Sequence, residues 1–99
     1  MKILTTHENQ TCIIKLSGRL DTTTAPELEK TVLEQADSAS QMTFDLRELD
    51  YTSSAGLRVF LKARKVMNQP DAVRLINVSE DIFEILEMTG FTDLMTIEK

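Results

Sequence analysis

The sequence predicts an α/β domain: a mixed sheet of four to five strands with helices packed on it, in the order β-β-α-β-α-β-α-β. Three observations predict it. Two apolar stretches flank a polar turn near the N-terminus and read as an antiparallel hairpin. After that, short apolar runs are each followed by a segment of 3.6-residue period, so helical crossovers join the later strands and some pairing is parallel. Finally, 99 residues with 41% apolar and 27% charged side chains fit one globular core and leave no room for a second, so residues 1–99 are read as a single domain.

Lys2 to Thr6 reads as the first strand, and His7-Glu8-Asn9-Gln10 as a polar turn. Thr11 to Ser17 alternates around Cys12, Ile14 and Leu16 as the second strand, ended by Gly18. After a loop over Arg19 to Thr24, a helix runs from about Ala25 to Asp37, with Ala25, Leu28, Val32 and Ala36 as its apolar stripe. Thr24 and Glu27 match a capping box, and Pro26 sits in the first turn, where its missing N–H costs nothing. Met42 to Leu46 is the third strand, with Leu49 and Tyr51 on the connection after it. A second helix spans about Ser54 to Asn68. Gly56, Val59, Phe60, Ala63, Val66 and Met67 share one face, while Arg58, Lys62 and Lys65 make a basic strip on another. Gln69-Pro70-Asp71 breaks this helix, and Ala72 to Val78 is the fourth strand. Ser79 caps a third helix with Glu80 and Asp81 in its first turn, and Ile82, Phe83, Leu86 and Met88 point inward. Gly90 stands where a left-handed residue ends a helix, and a last strand lies near Leu94 to Ile97. The five methionines read as core filler.

Composition excludes several classes of function. The net charge is −5 and the pI about 4.8. That balance argues against nucleic acid as a partner, because phosphate neutralisation requires a basic surface. No apolar run approaches the roughly 20 residues of a membrane helix, and Met1-Lys2-Ile3-Leu4-Thr5-Thr6 is a strand pattern without a signal-peptide core. The expectation is a cytoplasmic protein without a membrane partner. The single Cys12 cannot form an internal disulfide and is expected as a buried thiol. One His and one Cys cannot supply the usual metal ligands, so neither metal nor cofactor is expected. His7, in the hairpin turn, is the only histidine to serve a serine nucleophile, and neither a Gly-x-Ser-x-Gly elbow nor a Gly-rich phosphate loop is present. Of the carboxylate pairs, Glu27/Glu29 and Glu84/Glu87 fit solvated helix faces, and Asp45/Glu48 is the third. The chain is therefore read as a binding module, not an enzyme.

The segment Thr52-Ser53-Ser54-Ala55-Gly56 stands out. Its small residues allow a tight strand-to-helix turn, and the free N–H groups of a helix start favour negative charge. Serine there is a natural N-cap. It is also a candidate modification site, and the residues alone leave both readings open.

Three stretches resemble the STAS domain of the anti-sigma-factor antagonist class. They are Leu16-Ser17-Gly18-Arg19-Leu20-Asp21-Thr22-Thr23-Thr24-Ala25, the run from Phe44 through Asp50-Tyr51-Thr52-Ser53-Ser54-Ala55-Gly56-Leu57-Arg58, and Met88-Thr89-Gly90-Phe91. They stand in the family's order, and the resemblance spans nearly the whole chain, from the second strand to the third helix. The resemblance implies a module that binds an anti-sigma factor, often a serine kinase of the histidine-kinase-like ATPase type. Phosphorylation of a Ser at the second helix start releases that partner, and a phosphatase reverses the step. The acceptor position falls on Ser54. The residue before it, Asp in the best-studied pattern, is Ser53 here and is the lesser candidate acceptor. The implied partner surface comprises Asp21, Thr22, Ser53, Ser54, Gly56, Leu57 and Arg58. For Asp21 a turn-forming role stands beside partner contact, and for Arg58 a solvated helix face does. The resemblance also admits a non-phosphorylated STAS subunit of a transporter or sensory complex.

Overall fold

The computed structural model describes residues 1–69 and 71–99; Pro70, in the expected break after the second helix, lies outside the described residues. The elements are β1 (Lys2–Glu8), β2 (Thr11–Leu20), α1 (Ala25–Ala36), β3 (Gln41–Thr52), α2 (Ser54–Met67), β4 (Val73–Ile76), α3 (Glu80–Met88), a 3₁₀ turn (Phe91–Asp93) and β5 (Thr96–Ile97). The order expected from sequence is the order found. One five-stranded sheet runs β1-β2-β3-β4-β5, with β1 antiparallel to β2 and every other pair parallel.

Successive parallel crossovers all step the same way along this sheet. With right-handed connections, that puts the helices on one face. Strand periodicity then decides what is buried. Cys12, Ile14 and Leu16 of β2, Met42, Phe44 and Leu46 of β3, and Val73 and Leu75 of β4 are fully enclosed. They form one core with Leu28 and Val32 of α1, Phe60 and Ala63 of α2, and Ile82 and Leu86 of α3. Phe44 and Phe60 meet edge to face, ring centroids 5.1 Å apart, which fixes α2 against the middle strand. Among the described residues the opposite sheet face carries no helix, and it is tied by polar contacts. Lys15 pairs with Glu48 at 3.1 Å, and Asn77 donates to Asp45 at 3.0 Å.

Several local expectations are corrected. β1 runs on through His7 to Glu8, so His7 is a strand residue opposite Cys12, and the turn is only Asn9-Gln10. Asn9 supplies the positive φ (58°) that a two-residue hairpin needs. β2 passes through Gly18 instead of ending there: the glycine sits at φ 101° inside the strand, next to a shift in register with β3. β3 extends to Thr52, because two such shifts let it carry extra residues opposite β2. The capping box at Thr24 does not form, since its side chain makes no cap bond to the helix. Val66 and Met88 are exposed, Met88 at 79%, so neither completes the core and the methionines are not all filler. β4 is shorter than expected, and β5 is only Thr96–Ile97. Ser79 does cap α3, accepting from the Ile82 N–H at 3.3 Å, Gly90 takes the left-handed conformation (φ 84°), and Cys12 is buried.

Candidate functional site

The parallel pairing of β2 with β3 ends at Leu20 opposite Thr52, and the Ser53 N–H donates to the Leu20 carbonyl at 2.8 Å. The two segments that matter here, Asp21–Thr24 and Ser53–Arg58, thus leave neighbouring strand ends side by side. Both lead straight into helices, α1 and α2.

The first segment is a self-contained turn. Asp21 Oδ1 accepts from the Thr23 N–H at 3.0 Å, the Thr23 hydroxyl at 2.7 Å and the Thr24 N–H at 3.2 Å. The Asp21 N–H in turn donates to the Thr24 hydroxyl, which donates to the Arg19 carbonyl. This explains the failed capping box: Thr24 is used up within the turn. The Thr23 hydroxyl, followed by its N–H and the Thr24 groups, holds the Asp21 carboxyl below its ordinary value of 3.8. Asp21 Oδ2 lies 3.9 Å from Arg19 Nε. Arg19 in turn stacks over Tyr51, its guanidinium 4.3 Å from the ring centroid.

A carboxylate whose pKa is lowered by folding stabilises fully above its unfolded value, and that contribution is lost as the pH falls through the folded value. Asp21→Ala is therefore expected to melt below the native chain at about pH 6, and the gap should close as the pH drops below 3.8. Thermal melts across that range check this; a gap that stays constant would show that the charge plays no part.

The second segment rests on a close approach. Ser53, in extended conformation (φ −92°, ψ 177°), takes the N-cap position of α2, and Ser54 is the first helical residue. Neither the place nor the bonding is that of a capping Ser54. The Ser53 side chain makes no cap bond either; its Oγ is enclosed without a hydrogen-bond partner among the described residues. Ser54, by contrast, is exposed. No acidic residue occupies the first turn of α2, unlike α1 with Glu27 and α3 with Glu80 and Asp81. Gly56 is buried where the helix crosses the strand ends. A Cβ there would lie 2.6 Å from Leu20 Cγ and closer still to the Thr52 hydroxyl. Only glycine lets α2 start this near the sheet.

Of the residues expected to form a partner surface, Thr22, Ser54 and Arg58 are exposed and Asp21 and Ser53 are partly so, while Gly56 and Leu57 are buried. The last two support the site from beneath and offer no exposed side chain. Arg19 and Tyr51 belong to the same surface and were not singled out by sequence. Their pairing across β2 and β3 became visible only once both strands ran longer than the alternation indicates. Among the described residues no cluster of three or more metal-ligating side chains occurs, and no helix is long and apolar enough to cross a membrane.

The STAS domain model matches residues 2–99 of this chain. The chain belongs to the STAS domain family. An anti-sigma-B factor antagonist of Staphylococcus aureus (strain NCTC 8325 / PS 47) is 32% identical over 101 residues, covering 100% of this chain and 94% of the relative. The crystal structure of an anti-sigma factor antagonist from Mycobacterium paratuberculosis superposes with a TM-score of 0.89 at 19% identity, covering 98% of this chain and 84% of that one. The Bacillus cell fate determinant SpoIIAA, solved in its phosphorylated form, superposes with a TM-score of 0.76 at 15% identity, covering 99% of this STAS domain and 92% of that chain. The Staphylococcus aureus relative is, by its name, a regulatory binding protein and not an enzyme.

Proposed function

We propose that this STAS domain is an anti-sigma-factor antagonist, which binds an anti-sigma factor while Ser54 is unmodified and lets go when Ser54 is phosphorylated. The observation that carries the reading is the contrast between the two serines: Ser54 is exposed at the first position of α2, and the Ser53 hydroxyl is enclosed. The similarity to the Staphylococcus aureus antagonist along the whole chain supports the partner class. The partner is an anti-sigma factor that is itself a serine kinase of the histidine-kinase-like ATPase type, a phosphatase restores the binding form, and the cycle runs in the cytoplasm.

The chemistry suits the place. A phosphate adds about −1.5 to −2 charge at pH 7. At a helix N-terminus the macrodipole accepts an anion, so the fold survives the modification while the surface gains negative charge. Asp21, Thr22 and Arg58 complete the contact surface around Ser54. Incubation with the cognate kinase and ATP is expected to add one phosphate, located on Ser54 by mass spectrometry of the digested protein. A phosphate on Ser53, or none, would overturn the assignment.

A further inference from the structure

We propose that the groove between α1 and α2 is the docking site for an acidic amphipathic helix of a partner protein, and that phosphate on Ser54 loosens this helix by drawing Arg58 to itself. The second clause rests on the phosphorylation proposed above; the first does not.

The groove opens beside the Ser54 end of α2 and encloses about 480 Å³. Its apolar lining comprises Ala25, Pro26, Ala55, Val59 and Leu61, of which Ala25 and Val59 are buried. Arg58, Lys62 and Lys65 of α2 line it, and Glu29 of α1 is the one carboxylate among the lining residues. The three cations stand at i, i+4 and i+7, so they form one stripe about 10 Å long in which like charges repel. Among the described residues none has an ion-pair partner within 4.0 Å, although the chain as a whole carries −5.

A recessed apolar channel edged by unpaired cations fits a helix. Apolar residues at i, i+3 or i+4 and i+7 would seat in the channel, and carboxylates one face over, at the same spacing, would meet the stripe. A membrane surface is flat and needs apolar groups that protrude, whereas Ala25 and Val59 are 6% and 3% exposed and lie below the cations. Arg58 links the groove to the switch. It lies one turn after Ser54 on the helix surface, and both are exposed. A phosphate on Ser54 would take Arg58 into a charge-assisted hydrogen bond, removing one of the three cations from the partner's carboxylates.

The test is an NMR titration of the full chain with a synthetic helical peptide of about 20 residues, leucines on one face and glutamates at i, i+4 and i+7 beside them. The expected result is amide shifts confined to Ala25, Glu29, Ala55, Val59 and Lys62, weakening with salt. Lys62→Glu with Lys65→Glu should weaken binding about tenfold or more, and a peptide with lysines for the glutamates should recover it. Lys62→Ala with Lys65→Ala guards against misfolding, and thermal melts verify each variant. Shifts elsewhere, equal binding of both peptides, or the same residues responding only to phosphatidylserine vesicles would each overturn the docking site. If the docking fails while kinase and ATP still modify Ser54, the groove is rejected and the switch stands. If the phosphorylated chain binds the peptide as tightly as the native one, the role of Arg58 is rejected and the groove stands.

Discussion

Gly56→Ala is expected to lower the melting temperature by about 5–15 °C. The added methyl would press on Leu20 and Thr52, which are 0% and 4% exposed and so cannot swing out into solvent. Overpacking of this kind costs about 1–3 kcal/mol, occasionally more. Alanine's better helix propensity returns about 1 kcal/mol. With Leu20 Cγ only 2.6 Å from the added carbon, Gly56 falls in the upper half of that range, about 2–3 kcal/mol, and the net loss of about 1–2 kcal/mol converts to the stated shift for a domain of this size, at about 4–8 °C per kcal/mol. The contact also carries the strand-to-helix junction, so the damage reaches the Ser54 surface directly. A thermal melt followed by circular dichroism checks it. An unchanged midpoint would mean that Leu20 can shift freely and that the close approach is not needed.

Ser54→Asp is expected to weaken binding to the anti-sigma factor by about 2 kcal/mol, roughly thirtyfold in Kd, without destabilising the fold. The two effects separate for a physical reason. Within the chain the new carboxylate sits at a helix N-terminus that carries no acidic residue in its first turn, where an anion contributes about 0.3–1 kcal/mol of stability. Across an interface it would face the carboxylates proposed to meet Arg58 and would have to be desolvated. Calorimetric titration with the cognate partner, paired with a melt of the free variant, measures both. Native-like affinity would sink the switch. A large fall in melting temperature would mean that the variant acts through folding.

The architecture was legible because the alternation of strands and helices is clear in the apolar pattern, and the order of elements in the structure is the one the pattern gives. Strand ends were less so. β3 contains Arg47-Glu48 and Asp50-Tyr51, two exposed pairs in succession, where its register with β2 shifts. Each shift breaks the period of two, so alternation alone stops at Leu46 and leaves Tyr51 on a connection. That is why the stacking of Arg19 on Tyr51 escaped notice. The serine pair was legible as a location, but its roles were not. Which hydroxyl is enclosed depends on how Gly56 seats α2 on Leu20, a three-dimensional contact with no local signal. The basic strip on α2 was visible from spacing, yet its position along a channel required the packing of α1 beside it.

The hydrogen bond from the Ser53 N–H to the Leu20 carbonyl, with Gly56 pressed on the same strand ends, has a consequence for timing. Both loops of the surface spring from one hydrogen-bonded strand pair and are anchored by the core beneath. A charge placed on Ser54 would therefore change what the surface attracts with no preceding rearrangement of the backbone, and no microsecond-to-second conformational step would enter the cycle. The response time of such a device would be set by the enzymes that write and erase the charge and by the dissociation rate of the partner.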